Sequence, residues 1–254
     1  MAPRRQLPTA FKAFRQFNPP DPLPEGWRPP KILRVRSNID PLLSPIFFTG
    51  DHAHDRVARA LADVRALPVK ELIECAEMFE RVRKPLRGSR RIVDFGAGHG
   101  FLGMLFGFFE RSVEEVILID RRRPPNFQPT FDALVGLGPW LAPKVTYREE
   151  SIGGERPLPF PDDTTIVAAH ACGTLTDRTL DAALACGGRV AVMPCCYPKR
   201  HYAGPVGIVQ GLGIEVAWDI ERTYRLENAG YDVQWSAVPK SVTPMNRLLI
   251  GRPR

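Results

Sequence analysis

From residue 91 onward the chain alternates short apolar runs with longer amphipathic ones, and that alternation leaves few folds open. Strands are expected at 92–95, 116–120, 145–148, 165–170 and 189–193, with helices at 100–109, 127–141, 174–185 and 215–228. The last two apolar runs, 231–238 and 245–251, are joined by a short connection carrying Pro239 and Pro244, which predicts an antiparallel hairpin. Strand–helix repeats that end this way fit an α/β fold: a doubly wound seven-stranded sheet with a C-terminal antiparallel hairpin, spanning 89–254.

Residues 51–88 read as a helical segment laid against that sheet. Asp51 is placed to cap a helix through Leu67, with Val57, Leu61 and Val64 facing inward and Arg56, Arg59 and Arg65 facing solvent. Pro68 suits the first turn of a second helix, whose apolar stripe is Leu72, Ile73, Ala76, Phe79 and Val82.

Residues 1–50 form a proline-rich, basic N-terminal arm. Arg4, Arg5, Lys12, Arg15, Arg28, Lys31, Arg34 and Arg36 are opposed only by Asp21 and Glu25, within a chain of net charge +7. Pro3, Pro8, Pro19, Pro20, Pro22, Pro24, Pro29 and Pro30 exclude long regular structure there, apart from a short helical piece at 9–17. Phe11, Phe14 and Phe17 interleave with Lys12 and Arg15, a pattern that serves either stacking on bases or docking of the arm on the domain. Docking is the expectation. The charge favours a polyanionic partner, and RNA bound through the arm is the expected one.

The stretch around the first strand carries the cofactor signal. Asp94 precedes Gly96, Gly98 and Gly100, glycines that let the backbone turn tightly and approach a ligand. A dinucleotide fingerprint would place a small residue where Phe101 stands. The second strand ends in Asp120, placed to accept the two hydroxyls of a ribose. Asp-x-Gly-x-Gly-x-Gly resembles motif I of the class I S-adenosylmethionine (SAM) methyltransferases, and the resemblance implies a Rossmann-like sheet with SAM as cofactor. The cofactor-binding set it implies is Asp94, Gly96, Ala97, Gly98, Gly100, Asp120, Arg121, Glu150, Ser151 and His170, with Glu150 or Ser151 toward the adenine.

Ligands of such sheets lie beyond the carboxyl ends of the strands. The fourth strand runs into His170-Ala-Cys172-Gly173, and the fifth into Pro194-Cys195-Cys196-Tyr197. Both strands should be neighbours, so His170, Cys172, Cys195 and Cys196 are the candidate catalytic residues at the acceptor end. These segments, with Thr243-Pro-Met-Asn246, resemble a methyltransferase family that includes eukaryotic tRNA acceptor-stem ribose methyltransferases and several methyltransferase-like proteins. The likeness covers about 90–251 and implies RNA, tRNA or rRNA, as substrate. The cysteine/histidine zinc modules of the tRNA enzymes are absent from this sequence.

His170 can contact cofactor or acceptor and serve as a base. Cys172 and Cys195 superficially match covalent pyrimidine C5 methylation, in which a thiolate attacks the ring. A zinc site of His170 and the cysteines lacks the usual Cys-x-x-Cys spacing, so no metal is expected. Methylation of a protein or small molecule, and a SAM-binding RNA-interaction module without turnover, stay open beside RNA methylation. Five cysteines, two of them adjacent, are expected as reduced thiols in a cytoplasmic protein, with neither a signal core nor a membrane span.

Overall fold

The computed structural model describes residues 7, 9–152 and 158–254. Arg4 and Arg5 of the basic arm, with Pro3 and Pro8, lie outside the described residues, as does part of the loop before the fourth strand.

The seven strands are β1 (Arg91–Phe95), β2 (Glu115–Asp120), β3 (Val145–Glu149), β4 (Thr165–Ala169), β5 (Val190–Met193), β6 (Tyr231–Ala237) and β7 (Arg247–Pro253). They form one sheet in the order β3-β2-β1-β4-β5-β7-β6. The first five pair in parallel, while β7 runs antiparallel to both β5 and β6. The doubly wound sheet and its terminal hairpin are therefore as the alternation predicts. The strand order reverses at β1/β4, which places a ligand crevice above the carboxyl ends of those strands.

The helices are α1 (Ser44–Phe47), α2 (Ala53–Asp63), α3 (Val69–Val82), α4 (Phe101–Phe109), α5 (Phe127–Leu137), α6 (Leu175–Ala185), α7 (Val206–Leu212) and α8 (Ile214–Asn228). Among the described residues no helix is long and apolar enough to cross a membrane. Both sheet faces are covered. Alternate residues of β1 show it: Ile92 joins the core under α2, α3 and α4, and Val93 joins the core under α6. Phe79 on α3 is fully buried against Phe106 on α4, a burial that contributes roughly 1.5–3 kcal/mol.

Several boundaries differ from expectation. α2 begins at Ala53 with His52 at its N-cap, and Asp51 makes no capping bond. It ends at Asp63, so Val64 is 45% exposed rather than inward, and Arg65 turns the chain at φ +48°. Arg59 is not a solvated residue: its guanidinium donates to the carbonyls of Phe48 and Gly50. The chain after Leu137 tightens into a 3-10 turn, Pro139–Lys144, because Pro139 and Pro143 cannot supply α-helical donors. α7, set off by Pro205 and Gly213, was not expected.

The arm is docked by one buried ion pair. Phe14 and Phe17 are buried against Phe48, and the helical piece expected at 9–17 is reduced to a 3-10 turn, Arg15–Phe17. Glu77 on α3 accepts from the backbone N–H groups of Lys12, Ala13 and Phe14 at 2.9–3.2 Å. Arg81, one turn on, pairs with Glu77 and donates to the carbonyls of Ala10 and Ala237. The phenylalanines are thus core residues, unavailable for stacking on bases.

Candidate active site

The glycine loop is held by its backbone. Gly96 and Ala97 donate to the Ile119 carbonyl at 2.9 and 3.0 Å, and Gly98 donates to Asp120 Oδ2 at 2.9 Å. Tyr147 on β3 closes the loop from above, donating to the Gly98 carbonyl at 2.9 Å. Gly96 and Gly100 need their positive φ of +65° and +77°, and neither has room for a methyl group: Leu175 stands 2.7 Å from where a Cβ would be at Gly96, and Leu118 closer still at Gly100.

Asp94 lies beneath this loop. Its Oδ2 accepts from the Gly103 N–H at 2.9 Å, so the strand carboxylate caps the first turn of α4. Burial, with Asp120 nearby, pushes its carboxyl up to about 7 against the opposing pull of the Gly103 bond. The structure gives it a supporting contact to α4, whereas Asp120 stands at the cavity wall.

That cavity has a volume of about 480 Å³, within the range of small-molecule sites. Gly96, Asp120 and Arg121 form one side of it, Ser151 and Ile152 another, and Cys172, Thr174, Leu175 and Arg178 a third. The position above Gly98 is open space. A carboxylate at the end of β2, bare glycine backbone and the apolar Ile152 and Leu175 suit a nucleoside with a charged tail, so the residues present fit SAM. Ile152, Leu175 and Arg178 were not anticipated, because no motif marks them; only the adjacency of loops shows them. Glu150 is exposed, and its backbone N–H donates to the Asp120 carbonyl at 2.8 Å.

At the other end, Ala169 pairs with Met193, which brings the loops after β4 and β5 together as expected. His170 ends β4 in the left-handed region at φ +53°, a conformation strained for most residues and tolerated best by Asn, Asp and His. Its Nε2 lies 3.1 Å from Glu74 Oε2 on α3, without the alignment of a hydrogen bond. Glu74 is fully buried and also pairs with Lys70 at 2.7 Å. Burial raises the Glu74 carboxyl, but His170 and Lys70 outweigh it and hold the group below its usual range.

The cysteines differ from expectation. Cys172 and Cys195 are joined as a disulfide, so neither is a reduced thiol in this structure. The strand register explains it: their Cα atoms stand 5.4 Å apart, inside the span a disulfide bridges. Cys196 is exposed, with its Sγ 3.5 Å from Cys172 Sγ and 3.7 Å from Cys195 Sγ. In this form there is no Cys172 or Cys195 thiolate to attack a pyrimidine ring.

Side chains from distant segments hold both loops. Four glutamates of α3 recur every third residue, and three residues fall about 60° short of a turn. The carboxylates therefore spiral around the helix and reach different elements. Glu71 sits 2.8 Å from His99 Nε2 in the glycine loop, Glu74 meets His170, Glu77 holds the arm, and Glu80 meets His54 of α2 at 2.9 Å. His99 Nδ1 accepts from the Phe101 N–H at 3.1 Å, so Nε2 carries the proton that Glu71 accepts. Tyr197 anchors the β5 loop, donating to Asp219 at 3.1 Å; Asp219 in turn accepts from Arg247 at 2.6 Å. Asn246, in the segment that drew notice in the sequence, closes the β6–β7 connection against Val238.

A family model described as a methyltransferase domain matches residues 68–201, just over half of the chain, including every residue that lines the cavity. The chain belongs to this methyltransferase-domain family. It is a methyltransferase enzyme, and SAM is its cofactor. The matched region begins at Pro68 and so takes in α3 and its glutamates. No curated protein sequence matches the chain significantly. Among solved structures, an uncharacterized protein from Listeria monocytogenes is similar at 16% identity and a TM-score of 0.45, over 69% of this chain and 66% of that one. The B. subtilis tRNA methyltransferase TrmK is similar at 13% identity and 0.45, over 70% and 66%. A SAM-dependent methyltransferase from Aquifex aeolicus is similar at 20% and 0.40, over 68% and 87%. At such distances these likenesses add nothing to the functional reading.

Proposed function

We propose that this methyltransferase modifies RNA. The observation that carries the reading is the basic rim at the carboxyl ends of the strands. Arg121, Arg122 and Arg123 follow β2 and are exposed; Lys199 and Arg200 follow the β5 loop and are exposed. Arg15, Arg28, Lys31, Arg34 and Arg36 of the arm are exposed as well, and the arm is seated at Glu77, three residues along α3 from Glu74. A phosphodiester backbone is the polyanion such a rim attracts.

When bound, SAM supplies a methyl group on a sulfonium, which is transferred by in-line displacement. Asp120 and the glycine loop would hold the nucleoside end, with Arg178 and Cys172 across the cavity. His170 has its Nε2 directed at Glu74, which leaves Nδ1 to accept a proton from the acceptor. Alignment supplies the larger part of the rate, up to roughly 7–11 kcal/mol in ideal cases.

The test is transfer of labelled methyl from SAM by the purified protein into separated RNA, protein and small-molecule pools from cells lacking the gene. Label is expected in RNA, with mass spectrometry of nucleosides giving the acceptor atom. Label confined to protein or small molecules would overturn the RNA assignment. Removing residues 1–36 would expose the core behind Phe14 and Phe17, so charge reversal at Arg34 and Arg36 is the cleaner probe of the arm. It should weaken RNA binding and flatten its salt dependence.

A further inference from the structure

Three clustered cysteines, one of them lining the cavity, have a use that the methyl transfer leaves open. Cys172, Cys195 and Cys196 have their Sγ atoms all within 4.8 Å of one another. A tetrahedral zinc ion with Zn–S bonds of about 2.3 Å sets its sulfurs about 3.8 Å apart. Two edges of such a triangle, at 3.5 and 3.7 Å, are already present, and the third is closed by the disulfide.

We propose that reduction of the Cys172–Cys195 disulfide creates a zinc site with three cysteine ligands and a fourth position open to solvent. A dithiol reductant gives up two electrons and two protons, becoming a cyclic disulfide, while the Cys172–Cys195 bond breaks to two thiols. Zinc then displaces three protons from Cys172, Cys195 and Cys196, giving a trithiolate complex of net charge −1. Three protein ligands with one vacant position is the arrangement of zinc sites that take an exogenous ligand rather than purely structural ones.

Three observations favour a built site over a chance meeting of thiols. The ligands come from two loops that are each anchored: Leu175 donates to the Cys172 carbonyl at 3.1 Å, and Tyr197, next to Cys196, is tied to Asp219. Cys172 and Cys196 are exposed, so an ion has an entry path. Three thiolates this close would repel one another, and a divalent cation removes that repulsion. The site does not depend on the RNA assignment, because it rests on the sulfur positions alone. Cys172 also lines the SAM cavity, so the ion would sit at the boundary between cofactor and acceptor.

The test is calorimetric titration of zinc chloride into the full-length protein, fully oxidised or reduced by a phosphine that is not itself a zinc ligand. The reduced protein is expected to bind one zinc per chain and the oxidised protein none. Cobalt substituted for zinc should give thiolate-to-metal charge-transfer absorption. Cys196→Ser should weaken zinc on the order of 100-fold, whereas Cys186→Ser, at a buried cysteine outside the cluster, should bind as wild type. Equal binding by oxidised and reduced wild type, or no zinc and no cobalt–thiolate band in the reduced form, would overturn the proposal. That comparison uses the unaltered protein, so a misfolded variant cannot obscure it.

Discussion

The loops after β1 and β4 line one cavity, the loop after β5 is bonded beside the latter, and the two sides are held by different means. The glycine loop is fixed mainly by its own N–H groups, which donate to the Ile119 carbonyl and the Asp120 carboxylate within 25 residues of sequence, with Tyr147 and Glu71 adding side-chain contacts. The other side depends more on side chains: Glu74, 96 residues before it in sequence (170 − 74), faces His170, and the Asp219 carboxylate accepts from Tyr197 in the Cys195 loop. On the proposed function, the first side would meet the cofactor and the second the acceptor. The comparison predicts that substitutions at the first wall change cofactor affinity and those at the second change turnover.

The largest effect should come from beneath the first wall. Asp94 has its carboxyl raised from the usual range to about 7, so the native state holds its proton more tightly than the unfolded chain. Its contribution is fully present below about pH 4 and is lost as pH rises through about 7, a loss of at most about 4 kcal/mol. Asp94→Asn keeps an acceptor for Gly103 and removes the titration. The variant should therefore gain stability relative to wild type between pH 4 and pH 8 in denaturant titrations; a constant difference across that window would show that Asp94 is not a buried neutral acid.

Next in size is Asp120→Ala, which removes both the wall carboxylate and the acceptor for Gly98. A charged hydrogen bond of this kind contributes about 1.5–3 kcal/mol, so SAM affinity should fall roughly 10- to 100-fold. Turnover at saturating SAM should change much less, and a loss confined to turnover would break the comparison from the cofactor side.

Glu74→Gln tests the other wall. The variant keeps the size of the side chain and removes the charge facing His170 and Lys70. Methyl transfer should fall about tenfold, equivalent to about 1.4 kcal/mol, while SAM affinity stays as in wild type. An unchanged rate would mean that Glu74 serves packing alone. Smallest is Tyr197→Phe, which deletes the bond to Asp219 and should cost about 1 kcal/mol of stability while leaving SAM affinity intact.

The same contrast governs how much was legible in the sequence. The sheet, its terminal hairpin and the cradle of Gly96, Gly98 and Asp120 follow from periodicity and spacing, because neighbouring residues make them. Convergence of His170 with the cysteines also follows, once β4 and β5 are adjacent strands. Glu71, Glu74 and Glu77 gave no signal, since acidic residues three apart on a helix ordinarily read as its solvated face, and only the docking of α3 buries Glu74 and Glu77. The disulfide was missed for a related reason. Adjacent strand ends bring the two cysteines together as expected, but whether they stay reduced or bond to each other is not conveyed by spacing along the chain.

One measurement tests the division of labour most directly: calorimetric titration of SAM into wild type, Asp120→Ala and Glu74→Gln under identical conditions. One SAM per chain is expected for wild type and for Glu74→Gln with the same affinity, against a clear loss for Asp120→Ala. Equal losses in both variants, or none in either, would contradict a cofactor wall made of backbone and Asp120 beside an acceptor wall assembled through Glu74.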